Sequence, residues 1–414
     1  MSAPGGAGPL AVDRARRAVG LVFILNGFCF AALVARLPDV RRDLDLTNSA
    51  LGLLLLAIAL GSVLALPSSG TLIRRTSTVA VVRGGAVLVV LGLLLAASAV
   101  VGPASVWLTA VGFFAYGVGT SVWDVAMNVE AAAVEHGLGR TVMPRFHAGW
   151  SIGTILGAGV GVVVTKVDVW LPLHLGTVSV VALVLVTLGV AAFLGADPEA
   201  DDDDTAPVAG GRSAWREPRT LAIGLMVLAF AAAEGTANDW LALALIDGYD
   251  APQWVGVLGF AGFVTAMTTG RLVGPVLLDR FGRAPVLWST CAVAAAGVLL
   301  VVLGGHPVLV GLGVVVWGLG ASLGFPVGMS AAGDDRRRAP ARVSVVATLG
   351  YAAFLAGPPL LGRLADAVGT REALLAIAVL MVPAAATVAA VRPSAPRPAP
   401  TGRRPAPGSR GGRG

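Results

Sequence analysis

Twelve apolar runs long enough to cross a bilayer recur along the chain, separated by short polar stretches. They cover residues 18–36, 49–69, 79–101, 104–128, 147–166, 170–194, 220–246, 253–278, 284–303, 307–331, 343–362 and 372–391. Helices are the expected form. Lipid cannot satisfy open backbone groups, and the runs are too long for the strands of a barrel. Charged residues make up 13% of the chain and apolar ones 56%, where a soluble domain carries about 25% charge. Mean hydropathy is +0.81. A polytopic membrane protein is predicted.

The net charge of +6 does not point to nucleic acid, because the basic residues sit in loops and tails. They crowd the segments on the side where the chain starts, from Arg14, Arg16 and Arg17 through Arg74, Arg75, Arg140 and Arg145 to the C-terminal tail. The opposite loops hold few, so both termini are expected in the cytoplasm, with the protein multi-pass in the inner (plasma) membrane. The first run is too long for a signal peptide's apolar core and is read as the first span.

The chain repeats. Gly52 and Gly70 of run 2 match Gly256 and Gly274 of run 8 at one constant offset. "YGVGTSVWDVAMN" in run 4 matches "WGLGASLGFPVGM" in run 10, setting Asp124 opposite Phe325 and Asn128 opposite Met329. Two six-helix halves related in parallel are expected: an N-terminal bundle over 18–194 and a C-terminal one over 220–391. Residues 195–219, with the solvated run Asp201 to Asp204, read as a cytoplasmic linker. Residues 1–17 read as a cytoplasmic tail and the Pro-, Gly- and Arg-rich 392–414 as a disordered one.

Several chemistries drop out. Cys29 and Cys291 lie in apolar runs, so no disulfide framework is expected. Four scattered histidines have no metal-ligand spacing. Lys166, the only lysine, has no phosphate-binding loop around it, so energy must come from a gradient or from another subunit. No nucleophile–base constellation suggests an enzyme, and no cofactor is expected.

An ionised carboxylate at a helix centre costs roughly 2.5–3.5 kcal/mol, so intramembrane polar residues are candidates for function. In run 4, Tyr116, Thr120, Asp124 and Asn128 recur every four residues and form one stripe. It is either a cavity wall or a hydrogen-bond ladder between helices. Run 7 carries "EGTANDW", with Glu234 near its middle, Asn238 on the same face and Asp239 about 7.5 Å further along. Asn26-Gly27 of run 1 aligns with Glu234-Gly235 in the repeat, which places the two across the pseudo-two-fold axis. Glu234 is a candidate substrate or proton site, or alternatively an arginine's fixed partner. Arg36 is placed to pair with Asp239 across the outer mouth, or to be a solvated loop charge. His147, with Ser151 and Thr154 on its face, suits a gating hydrogen bond. Arg271 is expected to answer a carboxylate or a helix end. Trp240 and Trp254 are expected in the interfacial belt.

The loop "GPVLLDRFGR", Gly274 to Arg283, resembles the cytoplasmic loop motif of the major facilitator superfamily, with Asp279, Arg280, Gly282 and Arg283 in place. The spacing from Gly274 to Asp279 is one residue longer than in the motif, Pro275 stands where its first glycine is expected, and the N-terminal copy, "GTLIRRTSTVAVVRGG", has no aspartate. In the family this loop holds one face shut by charge contacts, so Asp279, Arg280 and Arg283 become gating candidates. "GRTVMPRFHAGWSIGTILGAGVG" with "DVAMN" and "EGTANDW" resembles bacterial transporters related to the fucose permease. Those symporters use acids in helices 1 and 4. Asp124 matches the second, while helix 1 has only Asn26. "GTILGAGVG" is weakly similar to an antiporter signature, with Ala158 where a proline is expected.

The resemblance implies an all-α major facilitator fold of twelve spans and a proton-coupled transporter of a sugar or polyol working by alternating access. Drug or metabolite efflux is one alternative and a transporter-like sensor another. The expected substrate residues are Asn26, Tyr116, Glu234 and Asn238, and the proton acceptors Asp124 and Glu234. Expected partners are a small solute, protons and lipid, with no nucleic acid, for a monomeric protein.

Overall fold

The computed structural model describes residues 8–140, 142–195, 211–335 and 338–392. Most of the expected linker, including Asp201 to Asp204, and the tails at 1–7 and beyond 392 lie outside them. Among the described residues every regular element is a helix, and twelve spans are long and apolar enough to cross a membrane.

The N-terminal half contains α1 (Pro9–Val34), a short α2 (Leu37–Asp43), α3 (Asn48–Arg75), α4 (Thr78–Val101), α5 (Val106–Leu138), α6 (Met143–Lys166) and α7 (Leu171–Gly189). After the turn α8 (Gly211–Ala214), the other half begins with α9 (Pro218–Tyr249), α10 (Gln253–Phe281) and α11 (Arg283–Leu303). It continues with α12 (Pro307–Ala321), α13 (Gly324–Ala332), α14 (Ala339–Val368), α15 (Thr370–Ala373) and α16 (Leu375–Thr387). The face on which α1 starts is called here the starting face, and the opposite one the far face.

Several helices outrun their apolar stretches. α1 begins well before residue 18 because Asp13 pairs with Arg16 at 2.8 Å and Arg17 at 2.7 Å, one turn away. α5 continues past residue 128 to Leu138, where Gly139 takes a left-handed φ of 60° and ends it. Glu135 then accepts from the backbone N–H groups of Val142 and Met143 at 2.6 and 2.7 Å, tying the next helix start.

The tenth run is not one helix. It breaks at Ser322–Leu323 between α12 and α13. Pro326 has no N–H to give to the Ser322 carbonyl, and its ring disfavours helix just before it. The matched position of Pro326 in α5 is Val125, and α5 runs straight through.

Close helix contacts use small residues. A β-carbon on Gly153 would collide with the Ile24 carbonyl of α1, and one on Gly157 would lie 2.6 Å from the Phe28 carbonyl. Gly153 and Gly157 of "GTILGAGVG" therefore let α6 press against α1, which accounts for these two without an antiporter signature. Trp240 is 1% exposed and so is a core residue rather than a belt anchor. Trp254 carries Lys166 over its ring at 5.2 Å.

Candidate functional site

A cavity of about 400 Å³ opens between the halves, within the usual size range for small-molecule sites. The four-residue spacing on α5 turns Tyr116, Thr120 and Asp124 to it. Asn128, one turn on, is outside the lining. Its amide donates to the Asp124 carbonyl at 2.9 Å and to the carboxylate at 3.4 Å. α1 contributes Asn26, which is 5% exposed and accepts from the Trp150 indole at 3.0 Å. Phe30 flanks that indole with ring centroids 5.7 Å apart. From the other half come Asp239 of α9 and Tyr351 and Phe354 of α14.

The lining contains two carboxylates, one from each half, and no Lys, Arg or His. Asp124 is exposed to the cavity. Asp239 has no hydrogen-bond or ion-pair partner among the described residues. The expected pairing of Arg36 with Asp239 does not form. Arg36 is instead buried at the end of α1, 2.7 Å from Asp39, and donates to the Val169 carbonyl at 2.9 Å. The i,i+3 partner in "RLPD" was closer all along. Asp239 is the lining residue that sequence reasoning assigned to the mouth.

Glu234 and Asn238 do not line this cavity. Glu234 accepts from Arg271 at 2.8 Å, and Arg271 also donates to the Ser322 carbonyl at 3.3 Å. One guanidinium thus holds α9 to α10 and answers the carbonyl that Pro326 leaves without an N–H. Glu234 belongs to this knot and not to the lining of this cavity. The signal for the knot was Pro326 in a span that otherwise reads as continuous.

A second cavity, about 830 Å³, lies between α6 and α10 and carries His147, Ser151, Arg271, Asp279, Arg283 and Ser330. Trp150 lines both cavities. His147 is exposed to this vestibule, its ring edge-on to Phe23 at 5.3 Å. Arg283 bonds Asp334 at 2.8 Å and Ser330 at 3.0 Å, and Asp334 also takes Arg219 at 3.2 Å. Arg280 lies over the Phe281 ring. Asp279 has no ion-pair partner among the described residues. These charge contacts therefore stay within the C-terminal half. Glu217, outside the spans, bonds Arg342 at 2.6 Å and Arg338 at 3.1 Å, again within that half. Burial raises its carboxyl pKa, but the hydrogen bonds from Arg342 and Thr220 outweigh this and hold it below the usual range.

The far face is different. Arg41 of α2 meets Asp247 of α9 at 2.6 Å, and Thr370 donates to the same carboxylate at 2.7 Å. Gln253 donates to Asp39 at 2.7 Å. Asp366 of α14 accepts from the N–H groups of Asn48 and Ser49 at 2.9 Å, so one half caps the helix N-terminus of the other. Among the described residues, the hydrogen bonds and ion pairs that join the halves lie at the far face. Sequence reasoning missed Arg41, Asp247 and Asp366, because such bonds across the halves have no local spacing.

Comparison with known proteins agrees with this architecture. The Major Facilitator Superfamily profile matches residues 19–338 and 260–412. An uncharacterised transporter of Sinorhizobium fredii is 32% identical over 86% of this chain and 92% of its own length. An uncharacterised MFS-type transporter of Yersinia pestis is also 32% identical, over 90% of this chain and 94% of that protein. Among solved structures, the nucleoside transporter NupG superposes with a TM-score of 0.73 at 16% identity, covering 92% of this chain and 98% of its own. The E. coli fucose:proton symporter FucP does so with 0.60 at 16% identity, covering 91% and 98%. Twelve spans in two repeated halves around a central cavity, with a profile match along nearly the whole chain, make this protein a member of the major facilitator superfamily of transporters.

Proposed function

We propose that the protein is a proton-coupled secondary transporter that carries a small hydroxylated solute, a sugar or polyol, by alternating access. The observation that carries this is a cavity between the halves, latched at the far face, holding one uncountered carboxylate from each half. The distribution of basic residues favours a cytoplasmic starting face, which makes the described arrangement inward-facing. The protein acts as a monomer in lipid. Only 6% of residues are aromatic, yet Phe30, Tyr116, Trp150, Tyr351 and Phe354 gather at this cavity. They offer ring faces, while Asn26, Thr120 and Ser62 offer hydroxyl partners. NupG and FucP, which share the fold, are named for a nucleoside and a sugar.

The coupling follows from electrostatics. When both faces close, the cavity dries and two ionised carboxylates become too costly to keep. A proton taken up on one side and released on the other makes the closed state reachable and ties its direction to the gradient. Asp124 and Asp239 carry the exchange.

The test is uptake into proteoliposomes holding a pH dye, with sugars and polyols supplied outside. Solute-dependent proton movement is expected in the wild type, and accumulation is lost in Asp124→Asn/Asp239→Asn. Gradient-driven accumulation by that double variant would sink the coupling. The aliphatic flank of the cavity, with Leu55, Ile58 and Val63, favours a second reading: efflux of a lipophilic cation. Proton movement driven by such cations and by no polyol would establish it.

A further inference from the structure

We propose that the N-terminal half holds a phospholipid of the far-face leaflet in a cavity of about 270 Å³ between α1, α6 and α7, with His174 donating to an acyl ester carbonyl. The site lies apart from the central cavity and stands whether or not the transport reading does.

His174 is the first observation. It lies in α7, one turn from the helix start, and is 4% exposed. Neither ring nitrogen has a hydrogen-bond partner among the described residues. An unmet buried donor carries its full desolvation cost. Trp123, Trp240, Trp317 and Ser179 also have buried polar atoms without partners, but of these residues only His174 lines this cavity.

The cavity itself is the second. Apart from His174 and Thr177, its lining is valine, leucine and phenylalanine from α1, α6, α7 and the turn before α7. A buried water needs two to four polar partners, and apolar cavities stay dry. Water therefore does not account for most of this volume. No carboxylate lines it to pair an imidazolium, so His174 serves as a neutral ring with one N–H donor and one acceptor nitrogen. A ligand suited to such a place is mostly apolar and carries a few acceptors.

Depth identifies the ligand. Val160, Leu173 and Val181 line the cavity and are also exposed on the surface of the bundle, so it opens sideways to lipid. Trp107 and Trp170 stand exposed at the far-face starts of α5 and α7, which marks the interface at that level. His174 is four residues past Trp170, about 6 Å deeper at 1.5 Å per residue. The acyl esters of a phospholipid lie just beneath its head group, and their carbonyls accept hydrogen bonds and donate none. Thr177, three residues on and also in the lining, brings a hydroxyl to the same face of the helix as a donor for the second ester. The acyl chains then cover the valines.

The experiment uses the purified full-length protein and native mass spectrometry of lipid adducts. The probes are a diester phosphatidylethanolamine and its diether analogue with the same chains, offered separately and in competition. A phosphatidylglycerol pair repeats the comparison. The diether keeps chains and head group and lacks both carbonyls. The first adduct is expected to form on the order of tenfold more weakly with the diether, whichever head group is used. His174→Phe keeps a ring and loses the donor, so it should bind both linkages alike. His174→Gln keeps a donor and should retain part of the preference. Because the linkages are compared on the wild type, a variant that fails to fold does not decide the outcome. Equal retention of diester and diether by the wild type would overturn the proposal. So would a diester preference that survives unchanged in folded His174→Phe. Neither outcome involves the solute, so the transport reading is tested separately.

Discussion

Removing Arg271 should damage the fold rather than the binding site, and the size of the effect can be worked out. Arg271→Met takes the cation from Glu234 and the donor from the Ser322 carbonyl. Breaking a buried pair by deleting one partner costs about 3–5 kcal/mol. These side chains retain 30% and 14% of their exposure, so solvent screening reduces that to roughly 2–3 kcal/mol. Unfolding of the purified protein should drop by several degrees, at roughly 2–4 °C per kcal/mol. Glu234→Gln should cost less, since an amide oxygen still accepts from the guanidinium. The double variant should be more stable than the sum of the singles by about 1–2 kcal/mol, because no uncountered carboxylate remains. Ligand binding by folded Glu234→Gln should stay close to wild type. If Glu234→Gln keeps full thermal stability and loses binding, Glu234 belongs to the substrate site and the structural knot is wrong.

Three further outcomes follow from the geometry. Asp366→Ala removes the cap on α3, worth about 1–2 kcal/mol. It should raise far-side labelling of a cysteine at Ser62→Cys by roughly tenfold, and unchanged labelling would show that the latch does not hold that face. Trp150→Phe keeps a ring between the two cavities and loses the bond to Asn26, so ligand affinity should fall by about 1 kcal/mol. Trp150→Ala opens one cavity to the other and should cost more, with equal losses in the two variants counting against a wall role. Glu217→Gln should destabilise by about 1 kcal/mol at neutral pH. A carboxyl whose folded pKa is depressed gives stability above its unfolded pKa of about 4.3 and loses it as pH falls through the folded value. The gap between wild type and variant should therefore close below about pH 4, and a gap independent of pH would assign the effect to packing.

How much of this was legible in sequence depends on the range of each interaction. The spans, the repeat and the cavity face of α5 were readable, because hydropathy over twenty residues and a four-residue spacing are local signals. The knot at Arg271 was half readable: a buried arginine demands a partner, but the choice of Glu234 depends on how α9 and α10 cross. The break at Ser322 was signalled by Pro326 and hidden by the apolar composition around it. The latch was not readable at all. Arg41 and Asp247 are 206 residues apart, and nothing in either neighbourhood specifies the other. Asp239 was seen and misplaced, since distance along a helix gives depth and not which groups close around it.

The repeat also explains why the cavity is polar on unlike helices. Asp124 stands opposite Phe325 in the matched frame, and Phe325 packs towards Tyr351 with ring centroids 6.5 Å apart. Extending the match of Asn26 with Glu234 sets Asp239 opposite Ala31, which is fully buried. Each half thus gives one carboxylate to the centre and an apolar group at the matching place. In the proposed alternating-access cycle, a symmetric set of four acids at the cavity would be too costly to close dry. Breaking the symmetry leaves two carboxylates, Asp124 and Asp239, in the cavity lining. The same asymmetry appears where α5 runs straight and its counterpart breaks at Ser322. Half-buried Arg271 is drawn there and held by Glu234, apart from the cavity that Asp124 and Asp239 line.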